Sequence, residues 1–400
     1  MSPRPSAPSA GLLAGLDEVE VTIEKLVAGG DGLARVAGLP LFVPRAAPGD
    51  RLRIRVVERR PDYGRAEIIE ILDPGAGRRE PPCPYFARCG GCDLQHLADD
   101  LQVRLKAAAV RETLERLGGS ALPPSEIVAG AMWGYRLRTQ LHTRSREGRV
   151  EVGYHARGSH DLVAVDRCPI LVPELEARLP ELPGLLPPDP PRRVDLAAGD
   201  GGRVTAAPRA GELPGGEVET AVGDHVYRYD ARCFFQGHRG LLGSLVAAAV
   251  GEWEGEDAYD LYAGVGLFSL PLARRYRRVV AVEGDRLAAR FARANARRDR
   301  ARRLEVVTRS LEGWVPALPA AASRVVVDPP RHGLSREVRR AFLERPPARL
   351  TYVSCHPAAL ARDLKALAPI FRVESLTLLD LFPQSGHMEV VVQLVHGARA

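Results

Sequence analysis

The sequence predicts an α/β protein with a largely parallel, doubly wound sheet in its C-terminal part and a small antiparallel barrel at its N-terminus. From about residue 240 onward, short apolar runs such as RRVVAVEGD, SRVVVDPP and RLTYVSC alternate with amphipathic stretches such as DRLAARFARANARR. This alternation is typical of strands and helices in a doubly wound sheet. Between residues 17 and 73, apolar residues recur at every second position in short runs separated by Gly, Pro and Asp, which indicates antiparallel strands joined by turns.

The size and composition of the chain are those of an ordinary folded protein. It has 400 residues, which is too long for one typical hydrophobic core and predicts two or three domains. Hydrophobic residues make up 45% and charged residues 26%, which excludes a generally disordered chain. No stretch has the uncharged apolar length of a membrane span, and the start MSPRPSAPSA lacks the apolar core of a signal peptide. We therefore expect a cytoplasmic protein without a membrane partner.

The charge of the chain favours an anionic partner. The formal net charge is +6, and 53 of the 56 basic residues are arginine, the exceptions being Lys25, Lys106 and Lys365. Arginine recognises phosphate with a planar, bidentate group, so this bias suits nucleic acid. A GC-rich genome that encodes arginine in place of lysine explains the same bias, and composition alone leaves both explanations open.

The segments between the barrel and the sheet have weaker patterns. Residues 99–118 place apolar residues at helical spacing before two glycines, which predicts an amphipathic helix. Residues 135–166 return to strand patterns, with SREGR as a hairpin turn. Within the Pro- and Gly-rich residues 179–217, we expect VDLAA to pair with RVTAA across GDGG. The last two apolar runs of the chain lie close together, which predicts an antiparallel pair at the edge of the sheet.

Four of the six cysteines are spaced as metal ligands. Cys83, Cys89 and Cys92 are separated by five and two residues, and Cys168 is a distant fourth. A disulfide framework does not suit a chain of this size without a secretory signal. Four soft ligands fit either zinc or an iron–sulfur cluster, and three local ligands with one solitary ligand favour [4Fe–4S]. His96 is an alternative to Cys168, and the Gly-Gly pair after Cys89 argues against three unrelated buried cysteines.

A glycine turn after the first predicted strand of the sheet indicates a cofactor site. In DLYAGVGLFSLPLA, Gly264 and Gly266 let the backbone approach a ligand at the start of a helix. The next strand ends with Glu283, the position at which doubly wound folds hydrogen-bond a ribose. This pattern fits S-adenosylmethionine or a dinucleotide. The simpler alternative is a tight turn with a surface glutamate.

Three further residues fall at strand ends of the same predicted sheet. Asp328 precedes two prolines that stop a strand, and Cys355 ends the strand TYVSC. Both therefore lie at the carboxyl edge where ligands bind, and Cys355 can be a nucleophile there. Glu389 begins the last strand and can act as a general base. Taken singly, Asp328 is also explained as part of a rigid turn, Cys355 as a small buried hydrophobic residue and Glu389 as a solvated glutamate.

Four motifs in order resemble those of the RNA 5-methyluridine methyltransferase family. DLYAGVGLFSLPLA is similar to the family's DLYCGxGxFSLPLA, DPPRHG to DPPRxG, YVSCHPAALARD to YVSCNPxTxARD, and FPQSGHMEVV to FPxTxHxE. The resemblance extends over residues 17–395. The N-terminal barrel resembles the TRAM domain, and the cysteines resemble the cluster of the ribosomal RNA branch. A chain with both the TRAM-like barrel and the cysteine cluster looks most like the enzymes that methylate a uridine of large-subunit (23S) ribosomal RNA. A tRNA is the alternative substrate.

The resemblance implies a fold and a division of the chain. The fold is a Rossmann-like class I S-adenosylmethionine methyltransferase domain with an OB-like TRAM barrel and a central α+β iron–sulfur domain. The implied parts are a disordered tail at 1–16, the RNA-binding TRAM barrel at 17–75, the iron–sulfur domain at 76–235, and the methyltransferase domain at 236–400. The helix at 99–118 can pack on the methyltransferase domain. A monomer, common in this family, is the expected state.

The resemblance also implies roles for individual residues. Cys355 is then the nucleophile that adds to uracil C6, and Glu389 is the base that removes the C5 proton. The implied cofactor residues, beside the turn at Gly264, are Gln236, Tyr262, Glu283 and Asp328, and the implied cluster ligands are Cys83, Cys89, Cys92 and Cys168. The target uracil must be unstacked to reach them. Retention of both Cys355 and Glu389 argues against the other class of protein, a non-catalytic RNA-binding iron–sulfur protein.

Five positions depart from the family pattern. His238 and His356 replace asparagines, Ala263 replaces a cysteine, and Leu267 replaces a frequent asparagine. Ser310 stands where the family often has an Asp or Asn on the adenine side of the cofactor. The two histidines either add positive charge near an RNA phosphate or are neutral substitutions, and we favour the second interpretation.

Overall fold

The computed structural model of the protein describes residues 17–119 and 122–397, so the predicted tail at 1–16 lies outside the described residues. The chain forms two compact units. The first consists of Met1–Arg111 together with Gln384–His387, and the second consists of Glu112–Pro383 together with Met388–Ala400. In the described residues, no helix is long and apolar enough to cross a membrane.

The first unit is built on a six-stranded sheet with the order β1-β5-β6-β4-β3-β2. Its strands are β1 (Glu18–Thr22), β2 (Lys25–Leu26), β3 (Gly32–Val36), β4 (Leu39–Val43), β5 (Arg51–Arg59) and β6 (Gly64–Asp73). The pairs are antiparallel except β4 with β6, which are parallel. Alternate residues of β5, including Leu52, Ile54 and Val56, are buried in its core, as the period-two pattern predicts. The cysteine segment follows, and α1 (Asp99–Gly118) begins in this unit.

The second unit begins with a mainly antiparallel region. Its elements are β7 (Ser125–Val128), β8 (Arg138–Arg146), β9 (Arg149–His155), β10 (Leu162–Ala164), α2 (Pro173–Glu176), α3 (Leu182–Leu185), β11 (Arg193–Ala198), β12 (Val204–Ala207), β13 (Glu217–Val222) and β14 (His225–Asp230). Five of the strands form a sheet in the order β10-β9-β8-β11-β12. The predicted pairing of VDLAA with RVTAA is observed as β11 with β12. In the predicted hairpin turn, Glu147 and Gly148 both have positive φ, as a tight two-residue turn requires.

The C-terminal part of the second unit alternates helices and strands. Its elements are α4 (Leu242–Val250), β15 (Gly255–Leu261), α5 (Ser269–Arg275), β16 (Tyr276–Glu283), α6 (Arg286–Arg298), β17 (Leu304–Thr308), α7 (Leu311–Trp314), β18 (Arg324–Val327), α8 (Arg336–Glu344), β19 (Arg349–Ser354), α9 (Pro357–Leu367), β20 (Phe371–Leu379) and β21 (Glu389–His396). All four residues of β18 are buried, which is typical of a strand with helices on both faces.

These strands form one sheet in the order β17-β16-β15-β18-β19-β21-β20-β7. The strands from β17 to β19 are parallel, and the order reverses between β15 and β18, where a ligand crevice is expected. The predicted antiparallel pair is observed as β20 with β21, but its predicted place at the edge of the sheet is wrong. β21 lies between β19 and β20, and β7, from a distant part of the chain, pairs with β20 at the edge.

Candidate active site

The turn after β15 forms one side of the carboxyl edge. Tyr262, Gly264 and Gly266 all have positive φ, at 64°, 55° and 94°. This conformation is strained for tyrosine and unstrained for glycine. A Cβ atom added at Gly264 would meet no protein atom within 4 Å, so open space lies beside the backbone at this position. The turn therefore has the shape that lets a ligand approach the main chain.

The carboxylate of Glu283 holds this turn in place. One of its oxygens accepts a hydrogen bond of 2.7 Å from the Gly264 amide, and the other accepts one of 2.7 Å from the Asp285 amide. Asp285 in turn caps α6 by accepting from the Ala288 amide. Each carboxylate oxygen has a second lone pair, so Glu283 can also accept a bond from a ribose hydroxyl.

Asp260 is a buried acid at this edge, and the sequence did not predict a role for it. It is the first residue of the glycine motif, and Ser269, later in the same motif, donates a hydrogen bond to its carboxylate. Burial raises the pKa of Asp260 to about 7, against the lowering effect of the Ser269 hydrogen bond. The signal that could have identified Asp260 is its place at the end of a strand in the motif.

Gln236 and Asp328, both expected at the cofactor site, meet in the structure. Gln236 Nε2 donates a hydrogen bond of 3.2 Å to Asp328 Oδ2. Burial raises the pKa of Asp328 to about 7, although the bond from Gln236 acts in the opposite direction. Gln236 Oε1 is buried and accepts no hydrogen bond from the described residues. A ligand with a donor group can satisfy this oxygen.

The loop that carries Gln236 is held by a partly buried arginine. Arg138, on β8, donates hydrogen bonds to the carbonyl oxygens of Ala231, at 2.8 Å, and Phe235, at 3.4 Å. Phe234 lies between them in the loop and is 65% exposed. Arg138 therefore fixes the path of the chain on both sides of Phe234.

The loop after β18 is anchored by Asp363, which the sequence reading also did not single out. This buried carboxylate of α9 accepts hydrogen bonds from the Leu334 amide at 2.8 Å, from Arg339 at 2.7 Å and from the Tyr352 hydroxyl at 2.8 Å. A Cβ atom at Gly333 would lie 2.5 Å from Asp363 Oδ2. Because the loop begins at Asp328, Asp363 sets the position of that carboxylate indirectly.

Cys355 follows the last residue of β19 and is partly exposed. Burial and the negative charge of Glu389 raise the pKa of Cys355 to about 11, and the positive charge of Arg331 lowers it. Arg331 belongs to the DPPRHG motif, although the sequence reading gave it no role. The thiol therefore experiences both the negative charge of Glu389 and the positive charge of Arg331.

Glu389 lies beside Cys355 because of the strand register. The antiparallel pairing of β19 with β21 ends with Ser354 opposite Val390, so Cys355 and Glu389 are the residues that adjoin this last pair on the two chain segments. Glu389 is 2% exposed, and its Oε1 accepts no hydrogen bond from the described residues. Burial and the charge of Asp328 raise the pKa of Glu389 well above its usual range.

His356, which replaces the family asparagine, caps the helix after Cys355. Its Nδ1 accepts a hydrogen bond of 3.2 Å from the Ala359 amide at the start of α9. Ser354 Oγ accepts a bond of 3.2 Å from the His356 amide. Asparagine is a preferred residue for the same capping position. The structure thus supports a neutral substitution at His356.

His238, the second histidine departure, is fully buried. Its ring stacks on Tyr135 with centroids 4.7 Å apart, and its Nε2 is 3.1 Å from the Ala131 carbonyl oxygen. Tyr135 donates a hydrogen bond of 2.9 Å from its hydroxyl to the Pro383 carbonyl. His238 therefore belongs to the packed interior rather than to an RNA-binding surface.

The remaining departures have local structural roles. Ser310 caps α7 by accepting a hydrogen bond of 3.4 Å from the Gly313 amide. Ala263 and Leu267 are both buried, and the Leu267 carbonyl accepts a bond of 2.9 Å from the Tyr227 hydroxyl. These side chains pack within the fold around the glycine turn.

The four predicted cysteine ligands are divided between the two units of the structure. Cys83 and Cys89 are partly exposed and Cys92 is buried in the first unit, and Cys168 is partly exposed in the second unit. Among the residues that the structure describes, no group of three or more His, Cys, Asp or Glu side chains could hold a metal ion.

Comparison with known proteins extends over nearly the whole chain. The family model described as TRAM domain matches residues 17–69, and the model described as tRNA (Uracil-5-)-methyltransferase matches residues 217–396. The chain is 33% identical to the 23S rRNA (uracil(1939)-C(5))-methyltransferase RlmD of Pectobacterium atrosepticum, over 94% of this chain and 93% of that protein. The protein of the same name from Salmonella typhi is also 33% identical, over 94% and 95%.

A solved structure has the same fold. The crystal structure of Pyrococcus abyssi tRNA (uracil-54, C5)-methyltransferase in complex with S-adenosyl-L-homocysteine matches with a TM-score of 0.73 and 24% identity, covering 94% of this chain and 100% of that one. The family model and the 33% identical relatives show a methyltransferase that uses S-adenosylmethionine, and the fold of the solved structure agrees with this class. The chain belongs to the RNA uracil-C5 methyltransferase family. The prediction of a methyltransferase domain with an N-terminal TRAM domain is confirmed.

Proposed function

We propose that the protein methylates C5 of a uridine in large-subunit (23S) ribosomal RNA. The observation that supports this most is the proximity of Cys355 to Glu389 at one end of the sheet. The two relatives at 33% identity bear names that specify 23S ribosomal RNA, which supports the substrate class. The excess of arginine among the basic residues suits contact with RNA phosphates.

Cys355 is the nucleophile in this proposal. C5 of uracil is a poor nucleophile until a thiolate adds to C6. When Cys355 Sγ forms a bond to C6, the electron pair of the C5=C6 bond moves onto C5 and O4, and C5 can then attack a methyl group. The positive charge of Arg331 favours the thiolate, and the thiol proton can leave to water because Cys355 is partly exposed.

Glu389 is the general base in this proposal. After C5 has received the methyl group, it still carries its original proton. The Glu389 carboxylate removes that proton, the electron pair restores the C5=C6 bond, and the C6–Sγ bond breaks to release Cys355 as a thiolate. A pKa raised by burial makes this carboxylate a stronger base than an exposed glutamate. Its Oε1, with no hydrogen bond from the described residues, can accept the proton.

When bound, S-adenosylmethionine would supply the methyl group, whose bond to the sulfonium sulfur breaks so that S-adenosylhomocysteine is the leaving product. The open space beside Gly264 and the unsatisfied Gln236 Oε1 fit a ligand that approaches the main chain and offers a hydrogen-bond donor. We propose that the residues holding it are Gln236, Tyr262, Gly264, Glu283 and Asp328. The target uracil must be swung out of its stack to lie between this site and the thiol.

We also propose that a [4Fe–4S] cluster is bound by Cys83, Cys89, Cys92 and Cys168. The support is the ligand spacing and the Gly-Gly pair after Cys89, since the described side chains do not themselves form a metal site. The cluster takes no direct part in the reaction. Anaerobic purification should give a brown protein with the visible absorption of an iron–sulfur centre. A colourless protein with stoichiometric zinc would contradict the proposal.

The domain division, the location and the oligomeric state belong to the same proposal. The division is a TRAM barrel at 17–75, an iron–sulfur domain at 76–235 and a methyltransferase domain at 236–400. We propose a cytoplasmic location, where cysteines can serve as metal ligands instead of forming disulfides. We propose a monomer, which light scattering after size-exclusion chromatography tests.

The direct test of the function is transfer of a labelled methyl group. The protein is incubated with methyl-labelled S-adenosylmethionine and unmodified 23S ribosomal RNA or unmodified tRNA. We expect label at C5 of a uridine in ribosomal RNA. Label in tRNA alone would reassign the substrate, and label in neither RNA would favour a non-catalytic RNA-binding protein. Mapping the methylated positions in RNA from a deletion strain would then identify the uridine.

A further inference from the structure

Gln384 is a buried residue in a strained backbone conformation. It is 0% exposed and has φ of 66°, a left-handed value that side chains with a Cβ atom rarely adopt. It stands in FPQSGHME at a position where the family motif specifies no residue, so the resemblance assigns it no role. A conformation of this kind persists only when the surroundings impose it.

The surroundings of Gln384 do impose it, through five hydrogen bonds within the first unit. Its carbonyl oxygen accepts from the Asp93 and Leu94 amides at 2.8 and 3.0 Å. Its amide donates to Gln102 Oε1 at 3.2 Å, and its side-chain oxygen accepts from Gln102 Nε2 at 2.9 Å. Its side-chain Nε2 donates to Asp99 Oδ1 at 3.1 Å. Every hydrogen-bonding group of Gln384 is therefore engaged.

The residues that follow Gln384 are held as closely. The Gly386 amide donates to Asp93 Oδ2 at 3.1 Å, and the Gly386 carbonyl accepts from the Gly29 amide at 3.3 Å. A Cβ atom at Gly386 would lie 2.2 Å from the Gly29 backbone, so only glycine fits there. Met388 is fully buried, and Glu389 comes directly after it. The chain from Gln384 to Gly386 thus has little freedom, and Glu389 follows three residues later.

We propose that Gln384 is a positioning residue for Glu389 and links that base to the cysteine segment, defined here as residues 83–94. This inference depends on the proposed role of Glu389. Asp93 and Leu94 directly follow Cys92, so a change in the path of the cysteine segment displaces the amides that hold the Gln384 carbonyl. Glu389 is five residues further along the chain, and a small displacement of a catalytic base is costly to the step it performs.

The two halves of the proposed reaction allow a specific test. Cys355 forms the covalent RNA adduct, and Glu389 resolves it, so loss of base positioning should raise the ratio of adduct to methylated product. The full-length protein is mixed with unmodified 23S ribosomal RNA and S-adenosylmethionine. Adduct is then measured on a denaturing gel, and product is measured as methyl label released with free RNA.

Two variants remove the contacts from opposite sides. Gln384→Ala deletes the side-chain bonds, and Gln102→Ala deletes the partner while leaving Gln384 in place. We expect both to raise the adduct-to-product ratio by about tenfold or more, in the direction of Glu389→Gln. If Gln384→Ala does not fold, Gln102→Ala decides the result. An unchanged ratio in the folded variants would overturn the proposal.

Gln393→Ala is the matched control. Gln393 is a buried glutamine on β21, the same strand as Glu389, and it bonds to the Ala248 carbonyl at 2.6 Å and to Thr351 at 2.7 Å. A substitution that only reduces the amount of folded protein lowers adduct and product together. The adduct-to-product ratio of Gln393→Ala should therefore stay at the wild-type value. An equal rise in Gln393→Ala would also overturn the proposal. If Glu389→Gln itself traps no adduct, the proposed function fails, which is distinguishable from failure of Gln384 alone.

Discussion

The amide of Gly264 donates a hydrogen bond of 2.7 Å to the carboxylate of Glu283, and this bond joins the turn after β15 to the end of the neighbouring strand β16. The two residues are brought together by the parallel pairing of β15 with β16, in which Leu261 lies opposite Val282. The carboxylate therefore holds the main chain in the shape that leaves open space beside Gly264.

Gly264→Ala should weaken the binding of S-adenosylmethionine. The added methyl group would enter the open space that we assign to the cofactor, and the left-handed backbone adds about 1 kcal/mol of strain. We expect the dissociation constant, measured by calorimetry, to rise by about tenfold or more, because 1.4 kcal/mol corresponds to roughly a factor of ten.

Gly223→Ala is the control for that measurement. Gly223 has φ of 57°, nearly that of Gly264, and a Cβ atom there would also meet nothing within 4 Å, but it lies in the turn between β13 and β14. It should lose similar stability without a change in cofactor affinity. Equal affinities in the two variants would show that the space beside Gly264 does not receive the cofactor.

Cys355→Ala should abolish both the covalent RNA adduct and methyl transfer, since no other group replaces the nucleophile. We expect a fall in rate of about 10⁴-fold or more. Cys233→Ala is a suitable control, because burial also raises the pKa of the Cys233 thiol to about 11. That variant loses a buried sulfur at a cost of about 1 kcal/mol in the free energy of unfolding and should remain active. An active Cys355→Ala protein would refute the assignment.

The ionisation of Glu389 should make the protein less stable as the pH rises. Burial raises the pKa of Glu389 in the folded protein, so the unfolded chain binds fewer protons between the unfolded and folded pKa values. The free energy of unfolding therefore falls with increasing pH through this window. Glu389→Gln removes this effect, so its gain in thermal midpoint over the wild type should be larger at about pH 8 than at about pH 4.

Glu374→Gln gives the comparison for this pH series. Glu374, on β20, is partly exposed and forms an ion pair of 2.6 Å with Arg349. Its replacement removes an attraction instead of a buried charge, so we expect no gain in thermal midpoint with rising pH. A gain of Glu389→Gln that is the same at both pH values would contradict a raised pKa of Glu389.

Gly333→Ala should disturb the loop that carries Asp328 and Arg331. A Cβ atom at Gly333 would collide with Asp363 Oδ2, and its φ of 77° adds strain, together costing about 1–3 kcal/mol in the free energy of unfolding. We expect methyl transfer to fall as well, because Asp363 anchors this loop. The measurements are urea unfolding and the labelled-methyl assay.

Gly243→Ala tests whether the effect is specific. Gly243 lies within α4, and a Cβ atom there would meet nothing within 4 Å. Alanine should stabilise this helix by about 0.5–1 kcal/mol and leave activity unchanged. If Gly333→Ala behaved in the same way, the proposed anchoring of the loop by Asp363 would be wrong.

Much of the candidate site could be predicted from strand ends. Gly264, Glu283, Asp328 and Cys355 each follow or end a parallel strand of a recognisable pattern, and parallel strands bring their carboxyl ends to one edge. Glu389 could not be placed beside Cys355 in this way. Its position depends on β21 entering the sheet between β19 and β20, a non-local pairing that the spacing of the motifs does not specify.

The sequence by itself determined the periodic elements, the order of the motifs and the family, because these depend on residue types at short separations. The tertiary structure alone decided which distant segments meet: β7 with β20, Asp363 with the loop at Gly333, and Gln384 with residues 93–102. It also decided which carboxylates are buried, and hence which of them hold protons more tightly. The physical reason is that burial and desolvation arise from packing between segments far apart in the chain.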